Sequence, residues 1–152
     1  MDKINNLDEN VFIIKNFLSN DEFDDALRGD FNLIKLKISN IFNNQYSVKG
    51  SGRIRVLNVG EFMEPHSDQH KDSCKCGYCS LGHNNKKIYA AVIYLNDDYS
   101  GGEIFYTNKN IKHKPSANSL ICHPASEEYT HEVLPVLTGE RKSISFFLTD
   151  GV

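Results

Sequence analysis

No apolar run in this 152-residue chain approaches the roughly 18 residues that a membrane span requires. The opening MDKINNLDENVF also lacks the apolar centre of a secretory signal. A cytoplasmic, reducing location away from membranes is therefore expected. Neither sign of charge dominates: 17 Lys and Arg against 20 Asp and Glu leave a formal net charge of −3, too little to draw the chain to nucleic acid or an anionic surface. Cysteine is scarce and poorly spread for a disulfide framework, since three of the four residues crowd into CKCGYC. In a reducing compartment such thiols are free, catalytic or metal-bound. Internal repeats and low-complexity linkers are missing too. The chain therefore reads as one domain, long enough to bury about 68–70% of its unfolded surface.

What is present divides near residue 50. Residues 11–17, VFIIKNF, are β-branched and aromatic and predict a strand. SNDE at 19–22 has the capping-box pattern, with Ser19 as N-cap and Glu22 three residues on, flanked by Leu18 and Phe23 as a hydrophobic staple. One helix should begin there and stop near Gly29. Leu33, Leu36, Ile38, Ile41 and Phe42 predict a second. From Ser51 onward short strands alternate with turns: 53–59, 64–68, 87–96, 102–107, 119–124, 131–136 and 142–149. The pattern predicts a mainly β fold with N-terminal helices, a double-stranded β-helix (jelly roll) with the helices packed on one sheet. Residues 1–50 would be the strand and helical layer and 51–150 the jelly-roll core. Residues 69–86 fit neither period and form a Cys-rich insertion of a length usually reserved for function.

Two short stretches carry the chemistry. In EPHSD (64–68), side chains two apart on a strand face the same way, so His66 and Asp68 can reach one metal from a single strand end. HEVLPVLTGER (131–141) offers His131 from a distant strand. Two imidazoles and one carboxylate make the facial triad of non-haem Fe(II) oxygenases, which leaves positions open for a cosubstrate and dioxygen. Zinc accepts the same ligands, but structural zinc sites are closed and four-coordinate. Ten residues after His131, Arg141 shares a strand face with Ser143 and Ser145. A guanidinium inside an apolar barrel needs an anionic partner, and its planar fork suits a carboxylate.

With EPHSD, IYLND, GGEIFY and HEVLPVLTGER together, residues 50–150 resemble the prolyl 4-hydroxylase-like branch of the 2-oxoglutarate/Fe(II) oxygenases, and VFIIKNFLSNDEF resembles the usual entry to that domain. The resemblance implies that His66, Asp68 and His131 bind Fe(II) and are the catalytic set. It implies that Arg141 holds the distal carboxylate of 2-oxoglutarate, with Tyr94 and Ser145 beside it. The implied reaction uses dioxygen, converts 2-oxoglutarate to succinate and hydroxylates a peptide or protein substrate, with proline the favoured residue. Ascorbate enters as a further candidate cofactor on the same ground. Met63 and Val59 stand where many relatives carry pocket tyrosines, which bears on the substrate and not on the anchors.

Cys74, Cys76, Cys79 and His83 have the spacing of a small Zn(II) site, with His70 as an alternative fourth ligand. Three rival readings follow. One is a hydroxylase of a free amino acid or other small molecule, and another is a non-enzymatic zinc-binding interaction module. A nucleic-acid demethylase fits less well, because that branch carries a second arginine where this chain has Phe147. His113 and His123 have no partner visible in sequence and read as solvated or core residues, and KNIKHKP (109–115) reads as a solvated turn.

Overall fold

The β-branched stretch forms β2 (Val11–Ile14), which pairs antiparallel with β1 (Ile4–Asp8) in a computed structural model describing residues 4–50, 52–69 and 87–150. β1 is a hairpin partner that the sequence does not announce, because INNLD is polar and mostly exposed. Helix α1 (Asn20–Leu27) begins where SNDE places it. Glu22 N donates to Ser19 Oγ at 3.2 Å and Ser19 N donates to Glu22 Oε1 at 2.8 Å, which satisfies two amides that the helix end leaves free. Helix α2 (Asn32–Ile41) departs from the expected apolar stripe. Ile34 and Ile38 are its buried residues, while Leu33 and Leu36 are exposed. Four residues is one turn plus about 40°, so the pair Ile34/Ile38 sets the buried stripe and Leu33 and Leu36 fall outside it.

The remaining strands are β3 (Ser47–Gly50), β4 (Arg55–Leu57), β5 (Met63–His66), β6 (Lys87–Tyr94), β7 (Ser100–Gly101), β8 (Ile104–Tyr106), β9 (Ile111–His113), β10 (Ser119–Pro124), β11 (His131–Val133), β12 (Val136–Thr138) and β13 (Arg141–Thr149). The larger sheet runs β1-β2-β10-β6-β13-β3, with β4 also on β13, and the smaller runs β5-β11-β8-β9. All these pairings are antiparallel, and together they make the jelly roll. KNIKHKP is thus not a free turn, since β9 lies within it. Pro135 splits the expected 131–136 strand into β11 and β12, because proline cannot donate to a ladder.

Period two sorts the larger sheet into two faces. Ile14, Ala91, Ile93, Leu120, Cys122, Ile144, Phe146 and Leu148 form one cluster with Ala26, Ile34 and Ile38 of the helices. Each fully buried aliphatic side chain there contributes about 1.5–3 kcal/mol. Phe31 meets Phe146 edge-on at 5.9 Å and locks α2 onto the sheet. The opposite face carries Ile13, Ile121 and Tyr94, which pack with Ile104 and Tyr106 of the smaller sheet. The site lies between the sheets, on this inner face.

Candidate active site

Three side chains stand in a row across the smaller sheet. β11 pairs with β5 so that His131 lies opposite His66, and with β8 so that His131 lies opposite Tyr106. Directly opposed residues of antiparallel strands share a face. The row follows from pairing alone, although the three residues are remote in sequence. β5 ends at His66, so Asp68 comes from the bend after the strand and not from the strand itself. The bend still turns its carboxylate inward. Asp68 Oδ1 is 3.8 Å from His66 Nε2, and Asp68 Oδ2 is 3.7 Å from His131 Nε2. One ligand atom from each of His66, Asp68 and His131 lies within 4.8 Å of the others, the sole such group among the described residues.

Both imidazoles present the correct nitrogen. His66 Nδ1 donates to Glu64 O at 2.7 Å and His131 Nδ1 donates to Tyr129 O at 2.9 Å, each to the carbonyl two residues back. With the proton fixed on Nδ1, the Nε2 lone pairs are free to bind a metal. Burial, then the neighbouring His123, pushes His131 down to about 4, so its ring is neutral near pH 7. Burial alone would raise Asp68, but the hydrogen bond from His123 and the surrounding imidazoles hold it at about 2. The set therefore offers two Nε2 nitrogens and one carboxylate, with their ligand atoms within 4.8 Å of one another. That donor set suits Fe(II).

His123 is the residue that sequence reading missed. It is 1% exposed, its Nε2 is 2.8 Å from Asp68 Oδ2, and its Nδ1 is 2.8 Å from the Tyr106 hydroxyl. The available signal was the strand period, which puts Ser119, Ile121 and His123 of β10 on one face. Its register with β6 then places that face with Tyr94 and Val92.

The second half of the site grows from β13 and β6. Ser143 lies opposite Tyr94, so Arg141, Ser143 and Tyr94 share the inner face. Arg141 is 3% exposed. Its Nε donates to Gly102 O at 2.9 Å, its Nη1 is 3.5 Å from Ser143 Oγ, and its guanidinium lies 5.1 Å from the Tyr94 ring centre. Among the described residues no carboxylate lies within ion-pairing distance of it. The strand hydroxyl within reach of Arg141 is thus that of Ser143; Ser145 sits two residues on, half-buried opposite Val92. Burial raises the Tyr94 hydroxyl, which responds electrostatically to both Arg141 and Asp68 and so links the two halves.

Tyr99 completes this corner. Its ring lies under Lys114 Nζ at 3.2 Å, and burial pushes its hydroxyl up to about 12. The Arg141 guanidinium beside it opposes that rise, yet the hydroxyl makes no hydrogen bond of normal geometry among the described residues. The Gly101–Gly102 pair makes the corner possible. A Cβ at Gly101 would come 2.2 Å from Pro135 O, and one at Gly102 would come 3.0 Å from Arg141 Cδ and 3.1 Å from Tyr99 Cε2. A buried guanidinium without an anion and a buried hydroxyl without a partner are what a dicarboxylate cosubstrate would satisfy. The residues therefore fit both Fe(II) and 2-oxoglutarate.

Cys74, Cys76, Cys79, His83 and His70 lie outside the described residues. Cys122 is buried on the helix side of the larger sheet, and burial pushes its thiol up, away from reactivity.

The chain is similar to known proteins in sequence and in fold. A protein of Acanthamoeba polyphaga mimivirus, provisionally named a prolyl 4-hydroxylase, is 33% identical over 119 residues, covering 66% of this chain and 48% of that protein. Prolyl 3-hydroxylase 2 of Rattus norvegicus is 32% identical over 66 residues, 40% of this chain and 9% of that protein. The chain thus spans about half, or less, of the length of these relatives. In fold it is similar to the viral collagen prolyl hydroxylase of Paramecium bursaria Chlorella virus-1 in its 2OG complex (TM-score 0.68, 18% identity, 95% of this chain and 97% of that one). It is similar also to a prolyl-4-hydroxylase of Pseudomonas putida (TM-score 0.63, 18% identity, 93% and 89%). The sequence profile of the 2OG-Fe(II) oxygenase superfamily matches residues 52–149, and the chain belongs to that superfamily.

Proposed function

We propose that the protein is an Fe(II)- and 2-oxoglutarate-dependent dioxygenase that hydroxylates a peptidyl residue, with proline favoured. One observation carries the reading. The cation Arg141 is buried with no anion in reach among the described residues, on the inner face of the larger sheet, and Tyr94 of that face responds electrostatically both to it and to Asp68 of the His66–Asp68–His131 set. Fe(II) held by those three residues would supply the dioxygen chemistry, with 2-oxoglutarate consumed to succinate.

Everything else is done by the chain. His66 and His131 keep their protons on Nδ1 and give Nε2 to the metal, while Asp68 supplies the single negative charge. Arg141 orients the cosubstrate through its far carboxylate, as a fixed-charge fork does better than a point cation. Tyr94 and Tyr99, both held protonated by burial, donate at the same place. The apolar inner cluster of Ile13, Ile104, Ile121 and Tyr106 keeps water from the closed end, which strengthens each of these contacts.

A peptide is favoured by exposed apolar side chains on the segments that lead into β5. Val59, Phe62 and Leu137 are 61%, 54% and 65% exposed. Gly60 N donates to Val136 O at 2.8 Å and Val136 N to Glu61 O at 3.1 Å, which joins the segments carrying these three side chains just ahead of β5. Exposed apolar side chains gathered in this way mark a surface built for a partner. Names carried by the relatives, the mimivirus protein and the rat prolyl 3-hydroxylase, point to proline. A Trichoplax adhaerens prolyl hydroxylase of similar fold binds a peptide fragment of a hypoxia-inducible factor (TM-score 0.62, 17% identity).

The test is 2-oxoglutarate turnover with Fe(II) over a peptide panel, with products weighed by mass spectrometry. A gain of one oxygen on a proline peptide supports the reading. Turnover confined to free amino acids would replace it with the small-molecule reading. Absence of metal binding by the wild type, or metal binding that His66→Ala leaves unaffected, would end it. Zinc at Cys74, Cys76, Cys79 and His83 rests on spacing alone, and metal analysis of a Cys76→Ser/Cys79→Ser variant tests it. No helix among the described residues is long and apolar enough to cross a membrane.

A further inference from the structure

We propose that His123 and Tyr106 form a positioning pair that holds one oxygen of Asp68, so that the carboxylate offers only its other oxygen to the metal. The proposal rests on the reading of His66, Asp68 and His131 as metal ligands. It does not depend on the substrate.

Protons can be assigned around the pair. Tyr106 is fully buried, and burial holds its hydroxyl protonated. Its oxygen is 2.8 Å from His123 Nδ1, the one hydrogen-bond partner it has among the described residues, so the O–H donates there. Nδ1 is then an acceptor, and in a neutral imidazole the proton must sit on Nε2. That N–H points at Asp68 Oδ2, 2.8 Å away. This arrangement pairs the Tyr106 hydroxyl, both nitrogens of His123 and Asp68 Oδ2, and leaves Oδ1 for the metal. It also explains why His123 is not itself a ligand, although its ring lies 4.5 Å from that of His131. Neither of its nitrogens has a lone pair left for an ion.

The consequence is geometric. A carboxylate can bind a metal through one oxygen or two, and a second oxygen would take a position that the cosubstrate or dioxygen needs. An N–H donor on Oδ2 competes for that oxygen's lone pairs and fixes the rotation of the group. Partners of this kind change metal affinity by about 10–100-fold in other metal sites. The two residues come from different sheets, Tyr106 from β8 and His123 from β10. The pair thus ties Asp68, which lies beyond the end of its strand, to both walls of the barrel.

The experiment compares His123→Phe, His123→Gln and Tyr106→Phe with the wild type. Mn(II) affinity is measured by calorimetry, and the Co(II) absorption spectrum reports the ligand set. His123→Phe should weaken Mn(II) binding by about ten-fold or more and alter the Co(II) spectrum. His123→Gln, whose amide can put an N–H where Nε2–H stood, should recover most of the affinity and a wild-type spectrum. Tyr106→Phe keeps the ring against His131 but frees the tautomer, and should fall between. In the metal-free wild type, long-range proton–nitrogen correlation should find His123 protonated on Nε2. Three results would each overturn the proposal: His123→Phe binding Mn(II) like the wild type, His123→Gln falling as far as His123→Phe, or a proton on Nδ1. If the wild type binds no metal, the reading of the triad fails instead, and the tautomer measurement still decides whether the pair exists.

Discussion

Replacing Arg141 by methionine separates what this residue does for the fold from what it does for the cosubstrate. The side chain is 3% exposed, and its described polar contacts are Gly102 O at 2.9 Å and Ser143 Oγ at 3.5 Å, with no carboxylate in reach. Arg141→Met forfeits the bond to Gly102, about 1 kcal/mol, but removes a buried charge that no described residue neutralises, whose cost is of that size or larger. The cosubstrate-free variant should therefore melt no lower than the wild type. Binding should tell the opposite story. Two charge-assisted bonds to the far carboxylate contribute about 1.5–3 kcal/mol each. Their loss, at about 1.4 kcal/mol per decade, weakens 2-oxoglutarate binding by roughly two to four decades. The assay is thermal melting of the Mn(II)-loaded protein with and without 2-oxoglutarate. At a hundred-fold excess over its dissociation constant the ligand stabilises the wild type by about 2.7 kcal/mol, a shift of roughly 5–10 °C for a domain of this size. The variant at the same concentration should shift by about a degree or less. A 2-oxo acid that lacks the far carboxylate should bind both proteins alike. Equal 2-oxoglutarate shifts in the two proteins, or a cosubstrate-free variant that melts several degrees low, would refute the reasoning.

Tyr99→Phe should leave the cosubstrate-free protein as stable as the wild type, because the hydroxyl it removes is buried without a partner. It should weaken 2-oxoglutarate binding measurably, and unchanged calorimetric affinity would show that Tyr99 does not touch the carboxylate. Gly101→Ala should be severely destabilising, since φ is +71° and the new Cβ would lie 2.2 Å from Pro135 O. Urea melts should place its cost at about 2 kcal/mol or more. The metal-free protein should lose stability as pH falls from about 6.5 towards 4. The folded-state value of His131 is depressed from 6.5 to about 4, so across that window the unfolded chain takes up a proton that the folded one refuses. The slope is at most about 1.4 kcal/mol per pH unit. Asp68, depressed from 3.8 to about 2, adds a loss in the same direction at lower pH. Chemical denaturation at pH 7 and pH 5 checks the first window, and equal midpoints would contradict it.

Much of this protein follows from its sequence because the decisive patterns are local. The capping box at Ser19–Glu22 satisfies its own amides, so α1 starts there whatever else folds. Strand period alone puts Arg141 and Ser143 on one face, and two histidines with an aspartate admit few chemistries. What the sequence leaves open depends on pairing between distant segments. His66, His131 and Tyr106 become a row only when β11 lies between β5 and β8. β1 is polar and belongs to the sheet only through its partner β2, and Leu33 and Leu36 are exposed because the contact with the larger sheet selects Ile34 and Ile38. His123 shows the difference most directly. As a lone histidine in SLICHP it carries no chemical signal. The register of β10 on β6, together with the bend after β5, sets it between Tyr106 and Asp68. Local patterns settled the elements and the ligand types, whereas hydrogen-bond partners, buried charge and the unpaired hydroxyl of Tyr99 came only from tertiary packing. Those properties depend on which side chains exclude water around one another, and single segments do not encode that.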